Sequence, residues 1–445
     1  MKSNQNFGLP IPVSNYLKKY GLSDWSISFK PQKRFNNVIV IPVLAEYGNL
    51  HSLLESLLQN DKKYFENTLA LFVINNLKSS DEEIVNDNQL AITFFKNIIE
   101  GKESEQSVRK AAGSGLDICF VDASSKGLEL PDKDGGVGLA RKIGMDLALT
   151  VFDYQSNQKK IIICLDADCT VDHNYLTTII DTFNHRNLKA GYVEYEHALP
   201  DNEKQKEAIV CYEIFLRYYV TGLKYANSPY AFPTIGSTMV CDYESYIQVG
   251  GMNKRKAAED FYFMEKLAKV TSIHEINNTT VHPSSRGSWR VPFGTGQRVN
   301  RFLSQNRDEY LLYDPKSFVI LKKWNNIFLS KENKTADYYL KRAEEIYPSL
   351  KTFLEMNLFA EHWRKIIESS KSSVQIQKQK ILWFDGFKTL KLIHFLRDQS
   401  FPEINMFDAL DEMFRVSGYK FLVNRTETIP NLDVQMKYLE ALISM

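Results

Sequence analysis

This chain of 445 residues contains no apolar run near the ~18 residues that a membrane-spanning helix needs. No transmembrane segment is therefore expected. Neither sign of charge is in excess: 55 Lys and Arg stand against 54 Asp and Glu, a net charge of +1. That balance argues against a nucleic-acid partner, which calls for a basic stripe or face. Cysteine is scarce. Cys119, Cys164, Cys169, Cys211 and Cys241 are odd in number and lack CxxC spacing. They read as reduced, mostly buried thiols of a cytoplasmic protein. The opening "MKSNQNFGLPIPVSNYL" lacks the apolar core of a signal peptide. Internal repeats and low-complexity tracts are also missing.

What is present is an ordinary globular composition, 44% hydrophobic, and a length that suits two domains. Over the first ~300 residues apolar, β-branched runs alternate with amphipathic segments, which is the α/β pattern. Strands are predicted at 37–44, 69–76, 116–124, 159–168, 190–198 and 234–243. Leu50, Leu53, Leu54, Leu57 and Leu58 mark one face of a helix. Residues 77–115 are polar and charged and read as an insertion. "GGVGLARKIGMDLAL" is a Gly-rich turn entering a helix, and "AAEDFYFMEKLAKV" is a later helix. Beyond about residue 330 the strand pattern stops. Residues 335–445 read as an all-helical C-terminal domain broken by Pro348, Pro402 and Pro430. This domain is a candidate for dimerisation.

The fourth predicted strand ends in "IIICLDADC". Ligands of open α/β sheets bind beyond the carboxyl ends of strands. Side chains at i and i+2 of an extended backbone share a face, so Asp166 and Asp168 can address one ligand. Two carboxylates that close repel unless a cation joins them. Hard oxygens suit Mg²⁺ or Mn²⁺, which complete their shell with substrate phosphates. Aspartates after strands are also common turn formers, so the pair alone is a weak signal.

Three further stretches accompany it. "IPVLAEYGNLHSLLESL" is a strand, turn and helix, "GGVGLARKIGMDLAL" precedes the fourth strand, and "GGMNKRKAAEDFYFMEKL" follows the sixth. In this order, over residues 37 to 300, they resemble the family 2 glycosyltransferases of GT-A fold. The resemblance implies a GT-A catalytic domain over residues 1–330, with the insertion at 77–115. It implies a nucleoside-diphosphate-sugar donor, Mn²⁺ or Mg²⁺, and a hydroxyl acceptor that is a glycan, a lipid-linked glycan or a small molecule. Asp166-Ala167-Asp168 matches the family's D-x-D metal motif, with Asp168 as direct ligand and Asp166 on the ribose or the metal. Pro42 to Glu46 would hold the nucleoside. Asn75 stands where the family often carries an aspartate for the base, a departure that weakens any assignment of uracil. Arg141 would contact the nucleotide. Glu259-Asp260 matches the E-D motif and makes Asp260 the general base of an inverting transfer. His282 would be a further metal ligand, and Arg286 and Arg290 would belong to a lid over the diphosphate. "QRVNRF" lacks the Q-x-x-R-W spacing of processive members, which points to single transfers. A retaining GT-A enzyme and a catalytically silent scaffold that binds a partner remain the alternatives.

Overall fold

A computed structural model describes residues 8–102, 106–287, 294–305, 308–421, 423 and 425–445. The chain packs as two compact units. The first is mixed α/β and takes residues 8–198 and 234–285. In chain order the elements are α1 (Ile11–Tyr20), β1 (Ile27–Ser28), β2 (Asn37–Val43), α2 (Tyr47–Leu58), β3 (Thr68–Asn75), α3 (Glu82–Glu100) and α4 (Gln106–Ala112). There follow β4 (Asp117–Ala123), α5 (Val137–Val151), β5 (Ile161–Cys164), β6 (Thr170–Val171), α6 (Tyr175–His185) and β7 (Ala190–Tyr195). α7 (Glu203–Tyr225) packs in the second unit. The first unit resumes with β8 (Met239–Asp242), α8 (Tyr243–Gln248), α9 (Glu259–Ala268) and β9 (Ile273–His282).

The nine strands form one sheet in the order β1-β4-β3-β2-β5-β8-β7-β9-β6. β2, β3, β4 and β5 run parallel, and every residue of β2, β3 and β5 is buried. Continuous apolar runs such as "NVIVIPV" suit that environment, because a parallel sheet is covered on both faces. One face carries Leu50, Leu53, Leu54 and Leu57 of α2, with Ile179 and Phe183 of α6. α5 packs against β2, β3 and β5. From β2 the chain steps to β3 and β4 in one direction, then returns to place β5 on the other side of β2. That reversal is a topological switch point, where open α/β sheets form a crevice at their carboxyl ends.

The polar segment 77–115 is more than an insertion. α3 contributes Ala91, Ile92, Phe94, Phe95 and Ile98 to the same apolar cluster as α2. Its charged residues line the opposite, exposed face, which is why the segment reads as polar.

The second unit holds α7 and most of the chain from residue 286 onward. It is helical apart from a short ribbon pairing Leu311–Leu312 with Ile404–Asn405. Its core joins Trp324, Phe328, Tyr339, Phe359, Trp363, Trp383 and Phe384. The aromatic α7 belongs to this core through Ile209, Ile214, Tyr218 and Leu223. The Tyr218 hydroxyl donates to the Tyr313 carbonyl at 2.5 Å. Among the described residues, no helix is long and apolar enough to cross a membrane.

Candidate functional site

The strand that ends at Cys164 runs on into a turn. Leu165 N–H donates to the Val40 carbonyl at 3.1 Å, and a turn closes with Cys169 N–H on the Asp166 carbonyl at 3.1 Å. Along this run Leu165, Ala167 and Cys169 are buried, whereas Asp166 and Asp168 are partly exposed. Ala167 and Asp168 lie in that turn, so it is the turn and not an extended backbone that leaves both carboxylates partly exposed at the strand end.

Arg141, on α5, is 2% exposed and lies behind them. One terminal nitrogen donates to Asp166 Oδ1 at 2.5 Å, and the other donates to Glu259 Oε1. Burial lowers the Arg141 pKa, and the charges of Asp166 and Glu259 outweigh it, so the guanidinium is held firmly protonated. A buried arginine joins a strand-end acid to a helix-start acid, and it is pre-organised for that by its planar fork. The arrangement needs an open space at Gly236: a Cβ there would stand 2.2 Å from Arg141 Nη2. It needs another at Gly138, where a Cβ would meet the Arg255 carbonyl at 2.3 Å and Glu259 Cβ at 3.0 Å. The glycines of the Gly-rich turn thus let the start of α5 close on the segment leading into α9.

Asp260 follows Glu259 in the first turn of α9 and is partly exposed. Burial, and then the Glu259 charge, push its carboxyl up to about 7. Burial also raises Glu259, against the opposing pull of Arg141. A carboxyl poised near neutrality is suited to taking a proton from a hydroxyl. Just before the pair, Ala258 adopts a left-handed backbone with φ 57°. A non-glycine residue seldom accepts that conformation, and such positions cluster at functional sites.

The residues expected around a nucleoside are tied into the scaffold. Pro42 is buried inside β2. Glu46 is 8% exposed and accepts from Asn49 Nδ2 at 2.5 Å. Asn75 is 3% exposed, and its amide donates to the Val43 and Val73 carbonyls at 2.9 and 3.1 Å. The residue that organises this corner is Asn88 of α3, which is fully buried. Its amide donates to the Asn75 carbonyl at 3.0 Å and Asn76 Oδ1 at 2.9 Å, while its oxygen accepts from Ala45 N–H at 3.0 Å. The sequence signal was available: Asn88 shares the apolar face of α3 with Ala91, Ile92 and Phe95, and a polar residue on such a face needs partners. Gly236 and Asn88 are the two residues that sequence reasoning missed.

His282 ends β9. Its Nε2 lies 3.0 Å from Asp172 Oδ1 and its Nδ1 lies 3.1 Å from the Glu196 carbonyl. These contacts orient the ring beside the pairing of β6 with β9, where Thr170 faces His282. Arg286 belongs to the second unit, and Arg290 lies outside the described residues.

Among the described residues, no group of three or more His, Cys, Asp and Glu is arranged to hold a metal ion. The donors that remain are Asp166 and Asp168. Two carboxylates do fit Mg²⁺ or Mn²⁺ in one particular manner: the ion brings its other oxygens with it, as waters and substrate phosphates.

No protein-family model and no curated protein matches this sequence. Solved structures do. Its structural neighbours include a mannosyltransferase. That protein, PcManGT from Pyrobaculum calidifontis in complex with GDP-Man and Mn²⁺, is 12% identical; the match covers 97% of this chain and 93% of that chain, with a TM-score of 0.35. S. aureus TarS 1-349 in complex with UDP-GlcNAc is 12% identical over 73% of this chain and 92% of that chain, with a TM-score of 0.35. GalNAc-T7 with UDP, GalNAc and Mn²⁺ is 12% identical over 71% of this chain and 55% of that chain, with a TM-score of 0.33. With scores this low, the case for the site rests on this chain's own residues.

Proposed function

We propose that this chain is a metal-dependent glycosyltransferase of GT-A type. It moves one sugar from a nucleoside-diphosphate donor to an acceptor hydroxyl, with inversion. The observation that carries this reading is the Arg141 bridge. It holds Asp166, one of the two strand-end carboxylates at the switch point, and by the same side chain the acid next to a carboxyl poised near neutrality.

Asp168 and Asp166 would hold Mn²⁺ or Mg²⁺ together with the donor. When bound, the ion neutralises charge on the departing diphosphate, which is Lewis-acid help to a leaving group. The protein's own part follows from its geometry. Arg141 holds Asp166 in place and keeps Glu259 out of proton transfer by pairing with it. Asp260 then accepts the acceptor hydroxyl's proton as that oxygen bonds to the anomeric carbon and the bond to the diphosphate breaks. A single in-line displacement of this kind inverts the anomeric centre.

The test is a thermal-shift screen of nucleotide sugars with and without Mn²⁺. A true donor at 100 times its Kd stabilises by roughly 2.7 kcal/mol. That shift should require Mn²⁺ and vanish in Asp168→Ala. Because the protein contributes only two carboxylates, Mn²⁺ alone should bind far more weakly than Mn²⁺ with nucleotide. Unaltered donor binding and transfer in excess EDTA would overturn the metal role, and a product with retained anomeric configuration by NMR would overturn the role of Asp260.

A further inference from the structure

The segment Lys254-Arg255-Lys256 leads into Glu259-Asp260, and all three cations are exposed. Asn253 fixes it to the active-site helix: its amide donates to the Glu259 carbonyl at 2.8 Å, and its oxygen accepts from Arg255 N–H at 3.1 Å. Arg255 lies over the Tyr262 ring, 3.8 Å from its centre, two residues past Asp260. Lys256 Nζ donates to the Asp132 carbonyl at 2.6 Å, which pins the segment to the Gly-rich turn. Exposed Lys266, on α9, extends the cluster. Burial and the charges of Lys142, Lys269 and Arg255 hold its amine below the usual range.

The nearby acids are committed elsewhere. Glu259 pairs with Arg141, Glu265 pairs with Lys269 at 3.4 Å, and Asp260 accepts from Phe261 N–H at 2.7 Å. Asp132 accepts from Ser79 N–H and Oγ at 3.0 and 2.7 Å, with Lys256 and Lys78 nearby. Among the described residues, Lys254, Arg255, Lys256 and Lys266 make no ion pair. A mutually repelling set of cations is thus carried by α9 and by the segment that leads into the proposed base. The metal, at the D-x-D, is the natural counter-charge for the donor diphosphate, which leaves these cations without a role toward it.

We propose that Lys254, Arg255, Lys256 and Lys266 form an anion-binding rim for the acceptor, and that the acceptor carries a phosphate group close to its reacting hydroxyl. The inference deepens the glycosyltransferase reading and rests on it. The phosphate can belong to a soluble sugar phosphate or to a lipid headgroup.

The probes are glucose 6-phosphate, its uncharged partner glucose, and vesicles of phosphatidylcholine with phosphatidic acid. Binding is measured by calorimetry and vesicle sedimentation, with Mn²⁺, UDP and GDP present to fill the donor site. The native protein should bind glucose 6-phosphate or the phosphatidic acid vesicles, and not glucose. Affinity should fall with added salt. Lys254→Gln, Arg255→Gln and Lys256→Gln combined should weaken it about tenfold, since exposed charge contacts are individually small. Mn²⁺-dependent nucleotide binding should stay within about twofold in the same variant. A response to glucose 6-phosphate alone assigns a soluble acceptor, and a response to vesicles alone assigns a lipid-borne one. Equal affinity in variant and native protein, or equal binding of glucose and its phosphate, overturns the proposal. So does parallel loss of nucleotide binding, which would assign the rim to the donor. If the native protein binds no nucleotide with Mn²⁺ at all, the glycosyltransferase reading fails instead, and the phosphate arms still report on the rim.

Discussion

Arg141 and Asp260 concentrate the chemistry of the site at the scale of single side chains. Arg141 can reach its two carboxylates only because residue 236 has no side chain. Gly236→Ala should force the guanidinium aside, at a stability cost of about 1–3 kcal/mol for an over-packed position. The decisive readout is function: Mn²⁺-dependent donor binding should be lost while the far-ultraviolet circular dichroism stays native. Asp260 makes a different prediction, with a sign fixed by linkage. Its folded carboxyl titrates at about 7, above the usual value near 4. The native state therefore holds the proton more tightly than the unfolded chain. The stability tied to this proton is complete below pH ~4 and is lost as pH rises to ~7. Asp260→Asn removes that loss. The variant should melt above the native protein at pH 8, by about 2–4 °C, and at the same temperature near pH 4. Its kcat should fall by roughly 10²–10⁴ with donor affinity kept within a few-fold. The native kcat/KM should drop as pH falls below ~7. A variant that loses donor binding and keeps kcat would remove Asp260 from the proton-transfer role.

At the scale of elements, α3 is the part whose position matters beyond its packing. Asn88 ties it to the carboxyl ends of β2 and β3. Asn88→Ala removes the amide that the buried Asn75 carbonyl accepts from, at about 1–3 kcal/mol. Urea unfolding should show that loss, and hydrogen exchange at Ala45 should quicken. Donor KM should rise more than kcat falls, because the corner loosens around the nucleoside and not at the base. α3 also shows where sequence reading stops. β2, β3 and β5 were legible because a strand covered on both faces must be apolar throughout. The placement of Asp166 and Asp168 after a strand and of Glu259 and Asp260 at a helix start was legible because such polar groups are local patterns. β6, two residues long, leaves no periodicity to read. The engagement of His282 by Asp172 depends on the β6–β9 pairing that β6 makes, so no local pattern announces it. Arg141 was visible as a candidate, but its double pairing depends on Gly236 and Glu259, both far away in sequence.

At the scale of the whole molecule, the helical unit is discontinuous in sequence. α7 lies between β7 and β8, yet its apolar side packs with Phe318, Leu321 and the helix Leu432–Ile443. The composition change near residue 330 does not reveal this, because the pattern of α7 suits burial against any apolar partner. A chain stopped after residue 330 should therefore expose Ile209, Ile214, Tyr218 and Leu223. It should bind a hydrophobic dye and aggregate, whereas the 445-residue chain should remain monodisperse by light scattering. Residues 335–445 alone should unfold without a cooperative transition. Cooperative melting of residues 335–445 alone would mean that α7 is dispensable to the core it enters.

The same interleaving sets a clock on biosynthesis. α7 leaves the ribosome roughly 200 residues before the helix Leu432–Ile443. At 5–20 residues per second, its apolar side waits on the order of 10–40 s for its last partner. Over that interval the nascent chain carries a sticky aromatic helix in the midst of an otherwise assembling sheet, a natural client for a holding chaperone.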